Sequence, residues 1–378
     1  MLRKNKGGLL LFACIFFLWP LHTPLHVLGQ QEPAQTFLSQ ESLSRAAAGY
    51  ADNDLFSSEE PLRFKLILDY KALLKDRGDE REYHAASVVY KDESGESVTI
   101  NLKVRVRGKH RRDPNVCIFP PLRLNFPKKK VQGTVFAGAD KLKLVTHCIG
   151  EKFVIREYLV YKVYNLLTPM SYRVRLCRVI YEDLQGKRKT DSSYAFLIED
   201  DAQLAERNQV TIMSDELLIR MEATHNGAMA KLALFQFMIG NTDWSVPYRH
   251  NIKLMYQESE LKPVPVPYDF DYTGIVMPPY AKPPPEIGIT SVRQRLFRGY
   301  TFPDEIYAEL VPFFNSRQKP IYQLYQQSDL LDTKYRKQTL RFLDDFYAII
   351  NNPKKFNKQI VQTGKKNERK SVVVKGLE

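Results

Sequence analysis

The apolar periodicity of this chain changes once, near residue 200, and that change limits the fold more than any other feature. Before it, short stretches alternate as strands do: Phe64-Lys65-Leu66-Ile67-Leu68, then residues 98–106, 122–126, 142–145, 174–181 and 194–198. One segment without Gly or Pro, 151–167, interrupts them. Its apolar positions Val154, Ile155, Tyr158, Leu159, Tyr161 and Leu166 predict an amphipathic helix. After Glu199 the pattern turns helical. Residues 229–238 form a strongly apolar helix that stops at Gly240, and Phe342, Leu343, Phe346, Ile349 and Ile350 repeat at helix spacing. Between these lie a loop, two short strands and a Pro-rich stretch, 278–285. Strands, one helix, strands, then mostly helices predict an α+β plan. A small β-rich N-terminal lobe with one long helix spans 62–200, a larger helical C-terminal lobe spans 201–350, and a cleft lies between them.

The ends read differently. Arg3, Lys4 and Lys6 precede an apolar run, 9–19, and Val27-Leu28-Gly29 offers a small-residue cleavage site. This is the layout of a secretory signal over 1–29, and the run is short for a membrane span. The expectation is an exported protein, periplasmic, cell-surface or secreted, with an uncleaved anchor as the alternative. Residues 30–61, with their Gln, Ser, Ala and Glu, read as a lead-in. Beyond the signal, Cys117, Cys148 and Cys177 allow at most one disulfide and one free thiol, and no C-x-x-C pair exists for structural zinc.

The formal net charge is +13, of which the leader carries three and residues 351–378 a net six, leaving +4 for the rest. The excess belongs to a basic tail read as disordered and suited to anionic surfaces; no nucleic-acid recognition motif accompanies it.

Two segments place polar residues between apolar elements. Gly240-Asn241-Thr242-Asp243-Trp244-Ser245 leads to His250-Asn251, and Tyr268-Asp269-Phe270-Asp271 follows. Phosphoryl transfer needs one carboxylate to accept the attacking hydroxyl's proton. It also needs an amide and another carboxylate to hold a divalent metal against the phosphates. Asp243 follows a long apolar helix and fits the first role. Asn251 and Asp269, with Asp271 beside or behind them, fit the second, with strands expected at 252–255 and 264–266. Taken singly, each motif also reads as a turn or a helix cap.

This order resembles the Asp-Trp…Asn and Trp-Asp-x-Asp motifs of the CotH kinase family, with a looser likeness to HipA-like kinases. Upstream, Val106-Arg107-Gly108 and Pro121-Leu122-Arg123-Leu124-Asn125-Phe126 are similar to that family's Arg-Gly turn and Pro-x-Lys/Arg strand. The resemblance covers roughly residues 100–275. It implies a two-lobed protein-kinase-like fold that uses Mg²⁺ or Mn²⁺ to transfer phosphate from ATP to a hydroxyl acceptor, on an exported protein or on another hydroxyl-bearing molecule. On that basis Lys143 pairs with Glu157 near the phosphates, and Arg123 is a rival phosphate ligand. Arg107 and Gly108 turn over the phosphates, and Glu199 closes a hinge toward adenine. The chain departs from the family at Ser245, where a His is common, and at Tyr268, where a Trp is usual.

Two other readings stand beside the kinase. One is a nucleotide-binding pseudokinase. The other is a secreted glycoside hydrolase using Asp243 with Asp269 or Asp271, although Asn251 and the preceding strands then have no task. No serine-hydrolase elbow, zinc-protease helix or Walker loop occurs.

Overall fold

Seven strands carry an inward apolar face, and together they close into a barrel. Phe64, Leu66 and Leu68 of β1 (Leu62–Leu68) point into one core with Ala86, Val88 and Tyr90 of β2 (His84–Lys91). Alternate residues of β3 (Ser97–Val106), β4 (Leu122–Asn125), β5 (Lys141–Val145), β6 (Val174–Asp183) and β7 (Asp191–Ile198) complete it. The strand order is β1-β2-β3-β4-β5-β7-β6. Every pairing is antiparallel except the closing one, where β1 runs parallel to β6 with Leu62 opposite Cys177 and Leu68 opposite Asp183. Closure leaves no strand with an unpaired edge. This computed structural model describes residues 55–258 and 260–369, so the expected leader, residues 30–54 of the lead-in and residues 370–378 lie outside the described residues.

The two-lobed kinase-like fold expected from the motifs is therefore corrected to a closed seven-stranded barrel joined to a helical region. The reason lies in β2 and in the β1–β6 pairing. His84–Lys91 has two Ala residues where bulkier side chains would announce a strand, and a parallel pairing between residues more than a hundred positions apart leaves no local signal.

After α1 (Tyr70–Lys75), the long helix α2 (Glu151–Leu167) joins the barrel wall to the helices. Tyr161 meets Phe196 of β7 at 5.6 Å on one side and Phe270 at 4.6 Å on the other, while Tyr164 meets Phe235 at 4.4 Å. A helix buried on both faces cannot show a sharp amphipathic stripe. Next come α3 (Asp201–Arg207), β8 (Thr211–Ile212), α4 (Asn226–Ile239) and the hairpin β9 (Ile252–Tyr256) and β10 (Val264–Pro267), which with β8 makes a small sheet ordered β10-β9-β8. The helices α5 (Asp304–Gln326) and α6 (Thr333–Ile350) pack around α4.

The basic segment expected as a disordered tail is helical over 353–369, through α7 (Pro353–Phe356), a π-helical turn at Asn357–Val361 and α8 (Gln362–Arg369). Ile360 is fully buried, and Asn367 donates to the carbonyls of Phe297 and Gly299. One apolar anchor and a few backbone contacts dock a segment whose charge alone reads as solvated. Among the described residues no helix is long and apolar enough to cross a membrane.

Candidate active site

The β9–β10 hairpin brings the two polar segments together. Ile252 lies opposite Pro267, so Asn251 and Tyr268 flank the hairpin's open end, and the Tyr268 amide donates to the Asn251 carbonyl at 3.0 Å. Helix α4 ends on Gly240, left-handed at φ +68°, which turns the chain toward Asp243. The Asn241 side chain accepts from the Asp243 amide at 2.8 Å, and Arg298 holds the Thr242 carbonyl. Ser245 and His250 exchange two backbone hydrogen bonds, 2.9 and 3.0 Å, folding the loop back on itself.

That fold sets His250 beside Asp243. His250 Nε2 lies 2.7 Å from Asp243 Oδ1, and Asn251 Nδ2 donates to Oδ2 at 3.0 Å. The carboxylate is thus aimed by two neighbours. Asn251 and Asp269 both adopt left-handed backbone, at φ +55° and +61°, a conformation Asn and Asp tolerate better than most residues. The Asp269 amide donates to the Tyr161 hydroxyl at 2.8 Å, fixing that turn against α2.

The carboxylates behind Asp243 gather on Arg111. From the short 3-10 turn His110–Arg112, its three nitrogens each take a different partner. Nη1 lies 3.0 Å from Glu157 Oε2, Nη2 2.5 Å from Asp269 Oδ1 and Nε 3.2 Å from Asp271 Oδ2. Tyr280 also donates to Asp271. Burial pushes Asp271 well above the usual carboxylate range; Arg111 opposes this, and the charges of Asp269 and Glu157 add to it. Burial raises Glu157 too, against Arg111. Burial also acts upward on Asp269, but Arg111 and Arg107, with help from Asp271 and His250, outweigh it and hold that carboxyl low. One guanidinium does not balance three carboxylates, and the imbalance shows as the upward push on Asp271 and Glu157.

A narrow crevice, too tight as its side chains stand for a water-sized group, lies beside this cluster and is lined by Arg107, Lys143, Glu157, Tyr268 and Asp269 among others. Of the expected nucleotide ligands, Arg107, Lys143 and Glu157 do converge here. Arg123 lies directly across from Lys143 on the neighbouring strand. Among the described residues, neither Arg107 nor Arg123 has a side-chain hydrogen bond or ion pair. Gly108 follows Arg107 at φ +91° with open space about it, so backbone conformation rather than crowding calls for glycine.

Two expectations change. Lys143 pairs with Asp201 at 2.6 Å, not with Glu157, which takes Arg111. Lys143 lies opposite Ile198 on β7, and α3 begins with Asp201 three residues on, so that carboxylate is near at hand. Burial lowers Lys143, against Asp201 and with the positive charges of Arg107 and Arg123. Glu199 does not offer its amide to a ligand: that N–H donates to the Arg173 carbonyl, and its buried carboxylate is forked by Arg207 at 2.9 Å on both oxygens. It clasps the start of β6 to α3.

Asn251, Asp269 and Asp271 do not fit a divalent cation as arranged. Among the described residues no group of three or more His, Cys, Asp or Glu is placed to hold a metal ion, and both aspartates are turned to Arg111. Sequence reasoning missed Arg111 as a site residue because it sits in a basic run that reads as solvated surface. It also missed the role of His250, whose only signal was its place next to Asn251, and that of Asp201.

No family model matches the chain, and no curated protein matches it. Among solved structures, the crystal structure of a Helicobacter pylori proinflammatory kinase, CtkA, aligns at 10% identity with a TM-score of 0.32, covering 76% of this chain and 93% of that one. That likeness is too slight to assign a fold or an activity to this chain.

Proposed function

We propose that the chain is a phosphoryl-transfer enzyme that moves the terminal phosphate of ATP to a hydroxyl group on a protein. One observation carries this reading. Asp243 is aimed by His250 and Asn251, and Asp269, next to the Tyr268 that pairs with Asn251, lines a crevice into which Arg107 and Lys143 bring positive charge. Phosphoryl transfer asks for charge neutralisation and alignment more than for covalent chemistry. Arg107, Arg123 and Lys143 hold the phosphate oxygens. The acceptor's O–H gives its proton to Asp243, its oxygen bonds the terminal phosphorus, and the bond to the bridging oxygen breaks to release ADP. His250 steadies the carboxylate throughout.

As its side chains stand the crevice is too tight even for a water-sized group, so in this reading the phosphates enter as those side chains move apart. Base and ribose lie outside it in this reading. The motif order shared with CotH kinases supports the same activity. The Cys117–Cys148 disulfide suits a chain exported from the reducing cytoplasm.

A second reading, a non-catalytic binder of nucleotide, is favoured by the engagement of both Asp243 oxygens. Calorimetric titration with ATP and pyrophosphate, paired with transfer of labelled phosphate to a protein acceptor, separates the two. Binding with transfer supports the enzyme, binding without transfer the second reading, and no binding of either probe overturns both.

A further inference from the structure

A guanidinium fork matches a single carboxylate through two parallel hydrogen bonds. Arg111 meets three, from α2 and from both ends of the Asp269-Phe270-Asp271 turn, and is itself 7% exposed. A divalent ion draws oxygens to a single point at roughly 2.0–2.6 Å. A flat guanidinium spreads them around its rim, with each oxygen 2.5–3.2 Å from a different nitrogen.

Nor is Arg111 loosely held. Arg77 donates to the carbonyls of Arg112, Cys117 and Ile118, which lie on either side of the loop that follows it. Cys117 is joined to Cys148 at the approach to α2. On the other side, His110 meets the Tyr272 hydroxyl at 3.0 Å, tying the turn to the residue after Asp271. The turn that carries the guanidinium is therefore strapped to both elements that carry its carboxylates. A second feature marks the same position: Glu157 Oε1 is buried with no hydrogen-bond partner, so the cluster presents more acceptor than Arg111 satisfies.

We propose that Arg111 is the resident cation of this site, built into the position among Glu157, Asp269 and Asp271 that a divalent metal would otherwise take, so that the cleft receives phosphate without metal. The statement about phosphate rests on the proposed phosphoryl-transfer reading; the statement about the cation does not.

The test is titration of the full chain with Mn²⁺, and separately with pyrophosphate in the presence and absence of EDTA. The wild-type chain is expected to show no stoichiometric Mn²⁺ site and a pyrophosphate affinity that EDTA changes by less than about twofold. Arg111→Ala frees the carboxylates and should gain one Mn²⁺ site, lost again when Asp271→Asn is added; Arg111→Lys keeps a charge there and should gain none. A wild-type chain that binds one Mn²⁺, with the site abolished by Asp271→Asn, overturns the proposal. So does a folded Arg111→Ala variant that acquires no site. Should Arg111→Ala fail to fold, the wild-type and Arg111→Lys titrations decide. Absence of pyrophosphate binding, with the Mn²⁺ results as expected, removes the phosphoryl-transfer reading and leaves Arg111's role standing.

Discussion

The Gly274 amide donates to the Gly240 carbonyl at 3.0 Å, and this bond ties the end of the Asp269 turn to the start of the Asp243 loop. The neighbouring Ile275 amide repeats the contact with Ile239 at 3.1 Å. The two polar segments are thus clamped twice, here and at the open end of the β9–β10 hairpin. A Cβ on Gly274 would fall 2.3 Å from the Val292 carbonyl oxygen and 3.2 Å from the Phe342 ring. Gly274→Ala should therefore cost about 1–3 kcal/mol of stability by overpacking and lower turnover through misalignment. Thermal melts and transfer assays on the same preparation check both effects.

Asp243 and Arg107 should separate chemistry from binding. Asp243→Ala is expected to cut kcat by roughly 10²–10⁴ while leaving ATP affinity nearly unchanged. Arg107→Ala removes a side chain with no ion pair of its own among the described residues but with a share in holding Asp269 low, so Tm should fall only slightly while ATP affinity falls at least about tenfold. Lys143→Ala should lose both, because Asp201 is then left half-buried without its cation. Calorimetry and melts on the three variants read these patterns, and a loss of ATP affinity in Asp243→Ala alone would contradict the assignment.

Lys231, on α4, donates to the Leu167 carbonyl at 3.3 Å and lies 4.6 Å from the Phe313 ring. Burial, with the nearby charge of Arg317, pushes its ammonium down from 10.5 to about 8. Between those values the unfolded chain binds more protons than the folded one, so stability from this group rises with pH across that window. Below about pH 8 the full penalty applies. Lys231→Met should then raise stability on the order of 1–3 kcal/mol at neutral pH, with the advantage shrinking as the pH climbs toward 10.5. Melts of both proteins across that range decide it.

The disulfide spans 31 residues, from the Arg111 loop to the turn before α2. Replacing Cys117 and Cys148 with Ser should cost about 2–4 kcal/mol. Cys177 faces the barrel core, where burial pushes its thiol up to about 12. It should resist alkylation in the native protein and react only on unfolding, as peptide mass spectrometry would reveal.

Local pattern determined a good part of this protein. The helices at 151–167 and around 229–238, the stop at Gly240 and the strands on either side of the turn after Asn251 follow from periodicity and a glycine in left-handed backbone, all of which act over a few residues. The company of Asp243 with Asn251 was legible from their closeness in sequence, and one hairpin brings Asn251 beside the Tyr268-Asp269 turn. Tertiary structure alone decided the rest. The barrel closes through a parallel pairing of β1 with β6, and a contact across that sequence distance depends on the whole sheet rather than on either strand. Charge partners were illegible likewise. Nothing in Lys143 distinguishes Asp201 from Glu157, and nothing in the run from Lys109 to Arg112 singles out Arg111. A charged side chain's partner is set by which carboxylates the packed backbone leaves within a few ångströms, and only the folded chain specifies that distance.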